Sequence, residues 1–123
     1  MTKQFINTTA KTIFEQLTKL TPQSHLLSWG IRDGVFMAET FHGMASLQFV
    51  VNARLFQGRV IIAYNEADYY EIYLKDKNGT RTLCQECYFN ELGQVIDEAI
   101  ESGTDPEEYR RFCEGVKNQF FKL

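Results

Sequence analysis

Residues Tyr69 to Phe89 read YYEIYLKDKNGTRTLCQECYF, two runs rich in aromatic and β-branched residues on either side of Asn78-Gly79. That dipeptide supplies the two positive-φ residues of a type I′ turn, so the stretch predicts a two-residue β-hairpin. The turn would pair Lys77 with Thr80 and place Asp76–Arg81, Leu74–Leu83, Ile72–Gln85 and Tyr70–Cys87 on one face. On the other face it would place Lys75–Thr82, Tyr73–Cys84, Glu71–Glu86 and Tyr69–Tyr88, because strand side chains alternate sides. Ile72, Leu74 and Leu83 make the first face the apolar one, expected to turn toward the core.

Upstream, Leu47 to Leu55 alternates cleanly, with Leu47, Phe49, Val51, Ala53 and Leu55 on one side and Gln48, Asn52 and Arg54 on the other. This predicts a half-buried strand turned at Gln57-Gly58 into Arg59–Asn65, with Leu55 opposite Val60, Ala53 opposite Ile62 and Val51 opposite Tyr64. Val35 to Phe41 reads as an earlier strand closed by His42-Gly43, and Glu66-Ala67-Asp68 as a short connection into the hairpin.

Helical spacing frames the strands. Asn7 or Thr8 can cap a first helix whose stripe is Ala10, Ile13, Phe14, Leu17 and Leu20, ended by Thr21-Pro22. After the hairpin, Asn90 can cap a helix with Leu92, Val95, Ile96, Ala99 and Ile100 inward and Glu91, Asp97, Glu98 and Glu101 outward, ended by Ser102-Gly103. Asp105-Pro106-Glu107-Glu108 then opens a last helix, with proline at the first helical position and acids near the positive end of the dipole. Its apolar side is Tyr109, Phe112, Cys113, Val116 and Phe120, leaving Arg110, Arg111, Lys117 and Lys122 to solvent. The pattern predicts a single α+β domain over residues 1–123: an N-terminal helix, an antiparallel meander of about five strands, and two C-terminal helices packed on one face of the sheet.

Charge is unevenly spread over this chain of net charge −3. Thr82 to Tyr109 carries Glu86, Glu91, Asp97, Glu98, Glu101, Asp105, Glu107 and Glu108 and no Lys or Arg. Such a field repels phosphate backbones, so direct DNA or RNA binding is not expected. No stretch has the length or apolarity of a signal peptide or membrane span, and three cysteines are too few and too odd for a disulfide scaffold. These features predict a cytoplasmic chain with free thiols.

No catalytic or cofactor motif stands out: GxSxG, GxxxxGK[ST], GxGxxG and HExxH are all missing. Cys84 and Cys87 form a CxxC, but on a regular strand residues three apart point to opposite faces, so they read as ordinary thiols and the chain as metal-free. His25 reads as a partly buried structural residue and His42 as a loop position. The sharper expectation concerns the hairpin's outer face, where Tyr69, Glu71, Tyr73, Glu86 and Tyr88 make an aromatic and acidic patch suited to a basic partner surface. A second candidate is the acidic helical surface of Asp97, Glu98 and Glu101. The composition therefore points to a non-catalytic protein-interaction module, its partner another protein or a second copy of itself. Two alternatives are a small-ligand or enzymatic pocket between sheet and helices near Tyr70, Trp29 and His25, and an acidic nucleic-acid mimic that occupies a DNA-binding enzyme.

Overall fold

A computed structural model describes the backbone of residues 1–120 and the side chains of residues 1–116. The order is α1 (Lys3–Leu20), α2 (Gln23–Ser28), β1 (Met37–Phe41), β2 (Met44–Asn52), β3 (Gln57–Tyr64), β4 (Tyr70–Asp76), β5 (Gly79–Cys87), α3 (Leu92–Asp97, widening into a π-helical turn over Glu98–Ser102) and α4 (Pro106–Phe120). The five strands form one antiparallel sheet in sequence order. The fold is thus the predicted α+β arrangement, with the C-terminal helices packing partly against the sheet. Among the described residues no helix is long and apolar enough to cross a membrane.

The first helix begins earlier than Asn7 or Thr8 would set it. Thr2 adopts extended backbone and its hydroxyl accepts the Phe5 amide at 3.1 Å, satisfying one of the free N–H groups of the first turn. Ala10, Ile13 and Leu17 then pack against Leu47, Phe49, Val60, Ile62, Ile72 and Leu74 from the sheet and Leu92, Ile96 and Ile100 from α3. Fully burying each large aliphatic side chain contributes about 1.5–3 kcal/mol. The more distal part of α4 joins this core less: Phe112, Cys113 and Val116 are exposed. Its first turns are held by Arg54, whose guanidinium lies 5.2 Å from the Tyr109 ring centre and 5.3 Å from that of Phe112. Expectations for Lys117, Phe120 and Lys122 fall outside the described side chains.

The sheet registers depart from the two-residue turns. Val60 lies opposite Phe49 and Ile62 opposite Leu47, so β2 ends at Asn52 and a longer connection follows. Asn52 is the last residue of the ladder, opposite Gln57; its amide donates to the carbonyls of Trp29 and Gly30 at 3.2 and 3.0 Å, and the Ala53 amide donates to the Phe56 carbonyl at 3.0 Å across the connection. The slip is by an even number of residues, so the side chains within β2 and β3 keep their predicted faces, while Leu55, beyond β2, is exposed. In the hairpin Asp76 pairs with Gly79 and Leu74 with Arg81, rather than with Arg81 and Leu83. The Asp76 carboxylate accepts the Asn78 amide at 2.8 Å, which closes the turn around Lys77-Asn78; Gly79 alone has positive φ, at 128°. Two irregularities in β5 then shift the pairing until Tyr70 meets Cys87, where the predicted register is regained.

The sheet face away from α1 is closed largely by its own side chains. Ser46 and Ala63 form a small-residue pair near its centre, and the rings of Phe41 and Tyr73 meet over this region at 4.7 Å. Arg59 donates to the Gln48 carboxamide oxygen at 2.9 Å, Gln48 donates to Ser46 Oγ at 3.1 Å, and Ser46 donates to the Glu39 carbonyl at 2.9 Å. Ser46, Gln48, Ile61, Ala63 and Tyr73 are all buried in consequence.

Candidate functional site

The aromatic and acidic groups gather at one end of the sheet, beneath the first half of α1. Helical spacing from the Thr2 cap puts Phe5, Thr9, Thr12 and Gln16 on a stripe beside the core stripe. Opposite them stand Tyr64 at the end of β3, Tyr70 at the start of β4, and Tyr88-Phe89 just past β5. Together they enclose a cleft of about 390 Å³ with Asp68 at its margin. A second cleft of about 640 Å³ shares Phe5 and Tyr64 as a common wall and continues past Glu66 and Glu71 to the β1–β2 turn at His42-Gly43. The two clefts adjoin at these shared side chains, a groove in two parts. Its lining residues include three carboxylates, Glu66, Asp68 and Glu71, and no Lys or Arg.

The loop between β3 and β4 sets this geometry through one carboxamide. Asn65 Oδ1 accepts the amides of Ala67 and Tyr69 at 2.9 and 3.0 Å, which coils the five-residue connection back on itself. Asn65 Nδ2 donates to Glu71 Oε2 at 3.0 Å, and the Tyr73 hydroxyl donates to Glu71 Oε1 at 2.5 Å. Glu71 is therefore oriented by donors on both oxygens. Asp68 sits at φ 65°, a conformation Asp tolerates better than most residues, and accepts the Tyr64 hydroxyl. On the floor, the Tyr70 hydroxyl donates to Gln16 at 2.5 Å.

Four tyrosines in or beside the groove titrate above the ordinary tyrosine range. For Tyr64 the cause is its hydrogen bond to Asp68; for Tyr73 it is the bond to Glu71; for Tyr69 it is the bond to Tyr88; and for Tyr70 it is burial. These phenols stay protonated at neutral pH, so they offer rings and neutral hydroxyls rather than proton-transfer groups.

The structure separates the residues predicted as one patch. Glu71 and Tyr88 line the groove, Tyr69 lies beside Tyr88 with tilted rings whose centres are 5.2 Å apart, and Tyr73, on the same face of β4 as Glu71, donates to its carboxylate. Glu86 is exposed and makes no one-to-one pair with Glu71, because it shares with Gln85 the irregular stretch of β5 opposite that residue. Tyr73, expected at a solvated face, is only 6% exposed because Phe41 and its neighbours cover it.

The acidic helical surface also needs correcting. Asp97 and Glu101 are 6% and 5% exposed and point inward; of the three residues only Glu98 is exposed. Asp97 accepts the Trp29 indole N–H at 2.8 Å and stands 3.9 Å from His25 Nδ1. Glu101 accepts the Arg54 amide at 2.9 Å and the Tyr109 hydroxyl at 3.3 Å, while Arg54 donates to the Glu101 and Ser102 carbonyls. The helix carrying these acids is buried on two sides, so a single apolar stripe does not describe it. Trp29, Tyr70 and His25 share no cavity: Trp29 is fully buried, Tyr70 floors the groove, and His25 opens on a separate cleft with Asp97.

Sequence reading missed Phe5, Tyr64 and Asp68. The signals available were the hydroxyl-rich run Thr8, Thr9 and Thr12 flanking the apolar stripe, and Asn65 placed to form an Asx turn ahead of Asp68. Among the described residues no group of three His, Cys, Asp or Glu side chains is placed to hold a metal ion. No family model matches the chain, and neither the curated proteins nor the solved structures compared with it include a similar one.

Proposed function

We propose that this chain is a protein-interaction module whose groove takes a basic segment of a partner, with lysine or arginine side chains laid against its rings. The observation that supports this is the lining itself, in which Phe5, Tyr64, Tyr70, Tyr88 and Phe89 meet three carboxylates and no Lys or Arg. An ammonium or guanidinium over a tyrosine or phenylalanine face gains about 0.5–1 kcal/mol where exposed and about 2 kcal/mol where desolvated. Oriented carboxylates at the groove margin supply complementary charge, which governs partner choice and encounter rate more than raw affinity. The protonated phenols and the absence of a nucleophile–base pair among the lining residues favour recognition over catalysis.

The test is calorimetric titration of the chain with an oligolysine peptide and with an oligoglutamate peptide of equal length. The lysine peptide is expected to bind, more weakly as salt rises, and the glutamate peptide not to bind. Tyr88 is 55% exposed, so Tyr88→Ala should leave stability within about 0.5 kcal/mol while weakening peptide binding roughly tenfold or more. Equal binding of both peptides, or none of the lysine peptide, would overturn the proposal.

A further inference from the structure

The irregular stretch of β5 brings together two thiols that a regular strand would keep apart. In regular β geometry, Cys84 and Cys87 would lie roughly 10 Å apart and point to opposite faces. Here Cys84 pairs with Ile72 and Cys87 with Tyr70, so β5 spends two residues, Gln85 and Glu86, where β4 spends only Glu71. The cysteines therefore span the distance between strand residues two apart, roughly 6.6 Å. That falls within the Cα separation of about 4.4–6.8 Å that a disulfide accepts. Ile72 and Tyr70 both face the helices, and so do the two thiols: Cys87 lies in the core and Cys84 packs, half-buried, against it.

We propose that Cys84 and Cys87 are an oxidisable dithiol that closes to a reversible intrachain disulfide by exchange with a small-molecule disulfide of the glutathione type. Burial pushes the Cys87 thiol up to about 12, and the neighbouring Cys84 sulfur adds to that shift, so Cys87 stays protonated. The less buried Cys84 meets the reagent first. Its thiolate attacks one sulfur of the oxidised glutathione; the reagent's S–S bond breaks, one glutathione thiolate leaves, and Cys84 carries a mixed disulfide. The glutathione thiolate released first takes up the Cys87 proton, and the Cys87 thiolate so formed attacks the Cys84 sulfur and expels the second glutathione thiolate. Two protein thiols are oxidised and one glutathione disulfide is reduced to two thiols. None of this depends on what occupies the groove.

The unusual run without Lys or Arg makes the test direct. Trypsin releases Thr82–Arg110 as one peptide holding both cysteines, with Cys113 beyond Arg111 on another. The folded chain is incubated with oxidised glutathione, remaining thiols are alkylated, and the digest is weighed. The expected peptide carries no alkyl group, lacks two hydrogen atoms, and becomes doubly alkylated when dithiothreitol precedes alkylation. Three outcomes would overturn the proposal: a doubly alkylated peptide without reduction, a glutathione adduct retained on Cys84, or a bond from either cysteine to Cys113.

Discussion

Replacing Asp97 by Ala is expected to lower the stability of the fold by about 2–3 kcal/mol, although the residue lies in a run of acids on a helix. The side chain is buried and accepts the indole N–H of Trp29, which is itself 0% exposed. Truncation strands that donor without water, at a cost of about 1–3 kcal/mol, and leaves a small void as well. Asp97→Asn keeps an oxygen in the same place and should cost less than about 1 kcal/mol. The comparison is made by urea unfolding, read as a shift in midpoint at constant slope. Equal and negligible shifts for the two variants would show that the Trp29–Asp97 bond does not hold the helical end of the molecule.

The second large effect is expected at Tyr73, where Ser should cost about 2–4 kcal/mol, in the range of other large-to-small core changes. Its ring packs on Phe41 and its hydroxyl orients Glu71, so truncation loosens both the sheet face and the groove wall. Tyr73→Phe removes only the hydroxyl and should cost about 1 kcal/mol. Tyr88→Ser, judged by the same melting measurement, should shift little. A sequence reading that groups the two tyrosines on one solvated strand face would expect both to be dispensable for folding.

That contrast shows what alternation can and cannot convey. The meander was legible because β2 and β3 carry inward Leu47, Phe49, Val51, Val60 and Ile62 at a strict period of two. The faces survived even where the register slid, since the slip was even. The end of β2 was not legible: the connection is closed locally by the Ala53 amide on the Phe56 carbonyl, while Trp29 and Gly30, distant in sequence, accept the Asn52 amide. Nor were the irregularities in β5, which place Cys84 and Cys87 on one face where counting residues separates them. Asp97 and Glu101 misled for a related reason: a charged residue is read as exposed unless its partner is known, and their partners, Trp29 and Arg54, lie far away in sequence. Of the groove lining, the predicted Tyr/Glu patch contained only Glu71 and Tyr88. Phe5, Tyr64 and Asp68 joined it only when α1 and the β3–β4 loop were folded over the sheet end.

In the proposed function this sheet end, rather than the far sheet face or the α3 acids, would meet the basic ligand. Amide chemical-shift mapping of the isotope-labelled chain during titration with oligolysine tests it most directly. The largest shifts are expected to cluster at Phe5, Thr9, Tyr64 to Glu71, Tyr88 and Phe89, and to fade together in Tyr88→Ala. Shifts centred instead on Gln48 and Arg59, or on Glu98 and the first turn of α4, would contradict it.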